Sequence, residues 1–216
     1  MKKSLWIAAL CLLIGTAAQA EPPTSWTTFR GPTGQGHAGD AKIPVTWSET
    51  ENVKWKTAIA GRAWSSPVVL DGQIWLTNAP AEGHKLSLIC LDARTGKKLH
   101  DVLLFDVAEH EKRYNTLNSY ASPTPVLEKG RVYAHFGRDG TAAVDTATGK
   151  ILWKRDDIKI AHMEGAGSSL RLTGGVLVLT MDGTDEQFLI GLDKKTGKTA
   201  WRTDRSYNMK QFPPHA

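Results

Sequence analysis

Cysteine is nearly absent from this sequence of 216 residues, which contains only two. Cys11 falls in an N-terminal apolar run, so an exported form keeps one thiol and has no internal disulfide. That thiol, Cys90, stands in Leu88-Ile89-Cys90-Leu91, which predicts a buried small hydrophobe rather than a reactive nucleophile. Beyond the first twenty residues, no run approaches the roughly 20 apolar residues needed to cross a bilayer as a helix. Neither charge sign dominates: 27 Lys and Arg stand against 22 Asp and Glu, a formal +5. The excess is small and scattered, which argues against nucleic acid as a partner. Gly-x-Ser-x-Gly and His-Glu-x-x-His are missing. The glycines Gly31, Gly34 and Gly36 lack the following Lys-Ser/Thr of a phosphate loop. No amphipathic helix of any length is legible.

What is present begins with a leader. Lys2 and Lys3, the apolar stretch from Leu5 to Ile14, and Ala18-Gln19-Ala20 have the order of a secretory signal peptide cleaved after Ala20. Residues 1–20 are therefore expected to be removed, placing the protein in the periplasm or outside the cell. Its loss takes the formal charge to +3.

Repetition decides the fold. Asp92-Ala93-Arg94-Thr95-Gly96-Lys97 ends at His100, Asp145-Thr146-Ala147-Thr148-Gly149-Lys150 at Trp153, and Asp193-Lys194-Lys195-Thr196-Gly197-Lys198 at Trp201. The aspartates are 53 and 48 residues apart. Upstream of each turn, Ser66-Pro67-Val68, Thr124-Pro125-Val126 and Ser169-Leu170-Arg171 precede Asp71-Gly72, Lys129-Gly130 and Gly174-Gly175. Asp-Gly and Gly-Gly between β-rich runs mark tight hairpins, which need positive φ. Each unit reads as four short antiparallel strands. In the third they fall near Ser168–Leu172, Val176–Thr180, Phe188–Asp193 and Thr199–Arg202. Four strands per 40–50 residues is the signature of a propeller blade. The expected class is all-β, with units at about 62–101, 118–156 and 165–204. Residues 21–52 form an extended lead-in, and 207–216 the start of a further blade. Residues 106–117 are a polar insertion with room for one helical turn.

At these residues the chain resembles the PQQ-like β-propeller repeat proteins, of an exported bacterial branch. Their tryptophan-docking motif, Ala-x-Asp-x-x-x-Gly-Lys-x-x-Trp, is matched throughout by Ala143 to Trp153. The third unit departs with Gly191 for Ala, and the first with Cys90 and His100. Phe29-Arg30-Gly31-Pro32 and Asn118-Ser119-Tyr120-Ala121-Ser122-Pro123 fit the same resemblance. Val53-Lys54-Trp55-Lys56-Thr57 looks like an orphan outer strand, which in closed rings of the family completes the last blade. Closed propellers have about 4–8 blades. Three units and one orphan strand predict an incomplete propeller, the N-terminal piece of a longer one, with open edges that invite self-association.

Loops on a rigid scaffold are where binding usually lives. The segments leading into the innermost strands should collect around the channel mouth, together with the second-to-third strand connections 78–84, 137–141 and 182–186. Arg62, Trp64, Asn118, Tyr120, His162 and Glu164 are the candidate lining for a small ligand or a protein partner. His162 and Glu164, two apart, are a candidate acid–base pair. Asp182, Asp185 and Glu186 are candidate calcium oxygens, although they lack EF-hand spacing. His110 with Glu109 and Glu111 reads as a charged surface. The resemblance admits two functions. One is a cofactor-free binding or scaffold module, like the outer-membrane assembly lipoprotein of the family. The other is a quinoprotein oxidoreductase of the alcohol or sugar dehydrogenase type, holding pyrroloquinoline quinone (PQQ) and calcium. The single remaining cysteine favours the first, because such dehydrogenases often carry adjacent cysteines over the quinone.

Overall fold

The structure is a computed structural model that describes residues 25–39, 41–109 and 117–206. The predicted leader, residues 207–216, His110 and Glu111 lie outside those residues.

Among the described residues, twelve strands form three separate four-stranded sheets, each an antiparallel meander in chain order. Blade 1 is β1 (Val68–Leu70), β2 (Gln73–Asn78), β3 (Lys85–Asp92) and β4 (Lys98–Asp106). Blade 2 is β5 (Val126–Glu128), β6 (Arg131–His135), β7 (Thr141–Asp145) and β8 (Ile151–Arg155). Blade 3 is β9 (Arg171–Thr173), β10 (Val176–Asp182), β11 (Gln187–Asp193) and β12 (Thr199–Asp204). One short 3₁₀ turn, Gly137–Asp139, joins β6 to β7. The innermost strands have only three residues each, so β9 begins later than the sequence pattern suggested. Ser169 lies outside the ladder, and its hydroxyl accepts the Thr124 amide of the neighbouring blade at 3.0 Å.

The repeated turns explain the repeated residues. In each, one Asp oxygen accepts two amides and a threonine hydroxyl. For Asp145 these are Ala147 N at 3.1 Å, Thr148 N at 2.8 Å and Thr148 Oγ1 at 2.7 Å. Asp92 and Asp193 repeat the pattern with Thr95 and Thr196. Hydrogen bonds to the charged form, the threonine hydroxyl's foremost, hold all three carboxyls below their usual range. The turn ends on a glycine at φ +70 to +72° (Gly96, Gly149, Gly197), a region that L side chains avoid.

Those glycines are also where one unit meets the next. A Cβ on Gly197 would lie 2.6 Å from the Trp153 ring. The Trp153 indole N–H donates to the Lys194 carbonyl at 3.0 Å. On Gly149 a Cβ would lie 2.8 Å from His100, which also stacks on Trp75 with centroids 5.7 Å apart. On Gly96 it would lie 2.4 Å from Trp55, whose N–H donates to the Ala93 carbonyl at 3.1 Å. A ring from each preceding segment thus sits flat on a glycine of the next. Directly across the strand from each blade's outer ring stands a small residue, with pairs Cys90–His100, Ala143–Trp153 and Gly191–Trp201.

The core lies between the sheets. Trp75, Leu86, Leu88 and Phe105 of blade 1 pack with Val132, Ala134, Phe136 and Val144 of blade 2. Tyr133 and Ala143 of blade 2 pack with Leu177, Leu179, Met181 and Phe188 of blade 3. Burial of Cys90 pushes its thiol up to about 12, so it is protonated and inert. Residues 53–57 form no ladder. They are held by Trp55 and by the Thr57 hydroxyl, which donates to Gly96 O at 2.6 Å. At the other end β12 is exposed along its whole length, Trp201 included.

Candidate functional site

The entry segments and the second-to-third strand connections do share one face. Arg62 pairs with Ala79 through the backbone, N to O at 2.7 Å. The Tyr120 ring covers Gly83 of the blade 1 connection. Burial, with the Asp139 charge second, raises the Tyr120 phenol. His162 covers Gly137 of the blade 2 connection and accepts the Arg138 amide at 3.3 Å. Each of these two segments therefore locks the reversal of the blade before it.

Most of the predicted lining is engaged in that locking. Asn118 Nδ2 donates to the Glu164 carbonyl at 2.7 Å, tying blade 2 to blade 3. Its Oδ1 accepts Ser119 N at 2.8 Å and Ser122 Oγ at 2.5 Å. His162 turns to the β6–β7 reversal while the Glu164 side chain is exposed, so the structure gives no support to an acid–base pair there. Asp185 accepts the Ala161 and Glu186 amides, Asp182 pairs with Arg205, and Glu186 pairs with Arg202. Those three acids are loop anchors. Trp64 differs: it is 48% exposed and forms part of a cleft.

That cleft, about 600 Å³, opens at the inner rim where the three innermost strands begin. Blade 1 contributes Trp64 and Ser66, blade 2 Ser122 and Thr124, and blade 3 residues 167–171. The fourth wall is the lead-in segment, with Thr28, Phe29, Arg30 and Gly34. Trp26 bridges to Val69 of β1, and the Thr27 carbonyl accepts the Leu127 amide of β5 at 2.9 Å. The lead-in thus crosses two innermost strands before turning back at Gly31, where Trp26 leaves no room for a Cβ. Sequence reasoning missed this wall. The only signal was the density of glycines from Gly31 to Gly36, which marks a tight reversal and names no neighbour.

Two hydroxyls stitch the rim. Thr124 Oγ1 accepts the Ser66 amide at 3.0 Å, and Ser169 Oγ accepts the Thr124 amide at 3.0 Å. The three positions are equivalent in the three blades, so the pattern is a relay from blade to blade.

Behind the face, His135 is 4% exposed and its Nδ1 lies 2.9 Å from Thr141 Oγ1. Burial, and then the nearby His162, lowers its pKa from 6.5 to about 3. It folds neutral. Unfolded, it takes up a proton below about pH 6.5 that the folded form refuses. Its contribution is complete above pH 6.5 and falls as the pH drops towards 3, by about 2 kcal/mol at pH 5. Urea unfolding of wild type and His135→Asn at pH 7 and pH 5 checks this. The wild type should lose about 2 kcal/mol more than the variant between the two pH values; equal losses would refute it.

Calcium takes six to eight oxygens, with carboxylates prominent. No carboxylate lines the cleft, and no three His, Cys, Asp or Glu converge among the described residues. The cleft residues do not fit the calcium of the quinoprotein alternative. No helix among the described residues is long and apolar enough to cross a membrane.

A family model described as outer membrane protein assembly factor BamB matches residues 38–156 and 109–213. The chain belongs to that family. Among solved structures it is similar to the quinohemoprotein alcohol dehydrogenase ADHIIG of Pseudomonas putida HK5. That likeness has 22% identity and a TM-score of 0.51, over 69% of this chain and 22% of that one. The quinohemoprotein alcohol dehydrogenase of Comamonas testosteroni is similar at 19% identity and TM-score 0.51, over 67% and 21%. BamB of Moraxella catarrhalis gives 15% identity and TM-score 0.47, over 69% and 42%. No curated protein matches. The chain spans about a fifth of the length of the two dehydrogenases, and at these identities the likeness shows the fold alone.

Proposed function

We propose that this chain is an exported propeller module that binds a ligand or partner at its inner-rim face and does no chemistry on it. One observation carries the reading. Among the described residues the cleft lining contains arginine, aromatic, hydroxyl and small side chains and one leucine, and no His, Cys, Asp, Glu, Lys or Tyr. Proton transfer near neutral pH relies on those missing groups, and arginine stays charged throughout. The surrounding polar residues, Asn118 and His162 among them, hold the rim rigid, which suits a preformed binding surface.

The test pairs binding with turnover. The purified chain is screened by thermal shift against small organic anions, neutral sugars and alcohols. Each stabilising compound is then incubated with it overnight, with and without added PQQ and calcium, and examined by NMR. Binding without conversion is the expected result. Conversion of any bound compound would overturn the reading.

A further inference from the structure

We propose that the inner-rim cleft is a site for a small carboxylate-bearing polyol, the chemistry of a sugar acid. The inference rests on reading this face as a binding surface and names what it takes. Three features of the cleft converge on that class.

The first is charge. Arg30 and Arg171 both line the cleft, and no acidic residue does. The Arg171 guanidinium lies 3.8 Å from where a Gly34 Cβ would stand, so it reaches the loop that carries Arg30. By contrast, Arg155 is paired with Asp157, Arg202 with Glu186 and Asp204, and Arg205 with Asp182. No carboxylate lines the cleft beside them among the described residues, so an anion seated there would meet positive charge without a competing acid. The guanidinium fork matches a carboxylate in two parallel hydrogen bonds. Among the described residues Arg30 is one of three non-glycine residues with positive φ, at +59°, and its carbonyl closes the reversal by accepting the Gly36 amide at 2.8 Å.

The second is donor supply. Thr124 and Ser169 each use their oxygen to accept a backbone amide from the blade before. The hydroxyl hydrogen of each is left to donate, and both residues line the cleft. A row of fixed donors suits the oxygens of a polyol.

The third is the aromatic wall. Trp64, 48% exposed, offers a flat apolar face to the C–H face of a sugar ring, and Phe29, 45% exposed, carries the Arg30 guanidinium 5.3 Å from its ring centre. The volume of about 600 Å³ lies within the range of small-ligand sites.

Calorimetric titration of the full chain with galacturonate and gluconate, against galactose, glucose and acetate, tests the proposal. The variants are Arg30→Met, Arg171→Met and Trp64→Ala, all exposed, with circular dichroism confirming that each is folded. A sugar acid should bind at least tenfold more tightly than its neutral counterpart and than acetate. Each arginine substitution should weaken it about tenfold, the equivalent of one charge-assisted hydrogen bond. Trp64→Ala should weaken the sugar acids and leave acetate unaffected. Equal binding of neutral and acidic sugars would overturn the proposal and leave the binding-module reading intact. So would sugar-acid binding that is indifferent to both arginine substitutions, or no binding of either acid to the folded chain. Conversion of the sugar acid would instead sink the non-catalytic reading.

Discussion

Replacing Trp153 by alanine should cost about 3 kcal/mol of stability, whereas Trp201→Ala should cost less than about 1 kcal/mol. The two tryptophans occupy the same position in consecutive units, so the repeat motif alone gives no reason for a difference. Contact supplies it. The Trp153 ring lies on Gly197, its N–H is satisfied by the Lys194 carbonyl, and it packs beside Tyr133 in the core between blades 2 and 3. Truncation removes apolar area, opens a void between two sheets and strands a carbonyl. Trp201 is 39% exposed and covers Gly191 of its own sheet. Urea unfolding of both variants, monitored by circular dichroism, measures the contrast. Equal losses would mean that the ring does not join the blades.

A comparable loss, about 3 to 5 kcal/mol, is expected from Gly140→Ala, at the junction of blades 1 and 2. Gly140 has φ +145° and ψ 174°, a region open essentially to glycine, at a cost of about 1–3 kcal/mol for another residue. A Cβ there would also lie 2.4 Å from the Phe105 ring and 2.8 Å from the Arg155 carbonyl. Phe105 cannot step aside, because it is 4% exposed and set edge-on against Phe136. Overpacking of this kind adds about 1–3 kcal/mol. Gly130→Ala is the control: its φ is +81°, but a Cβ would meet nothing within 4 Å. It should cost only the backbone strain, about 1–2 kcal/mol. Thermal melts of the two variants separate strain from packing, and similar melting points would contradict the interlock.

The blade pattern was legible because it is local. An aspartate, a threonine three residues on and a glycine after it specify one turn wherever they occur. The hydrophobic alternation around them specifies strands. The shared face of the connecting loops followed from the meander itself. Contacts between distant segments left no such mark. Nothing in Trp26 or Thr27 announces that they cross β1 and β5, and the motif that put His100 in the tryptophan position did not show that its ring sits over Gly149. Asn118 and His162 were singled out as polar residues at the channel mouth. Only the hydrogen bonds, to the Glu164 carbonyl and from the Arg138 amide, show that they hold loops together. Arg30 and Arg171 are 141 residues apart in sequence and share no motif, so the cleft they line had no linear signature.

A double-mutant cycle on Trp153→Ala and Gly197→Ala bears most directly on whether the repeats are wedges joined by a ring seated on a glycine. Gly197→Ala alone carries left-handed strain and a clash with the Trp153 ring. Once the ring is gone, only the strain remains. The double variant should therefore be more stable than the sum of the two single losses predicts, by at least about 1 kcal/mol. Losses that add within about 0.3–0.5 kcal/mol would show that the two residues do not meet, and the stacked arrangement of blades 2 and 3 would fall with them.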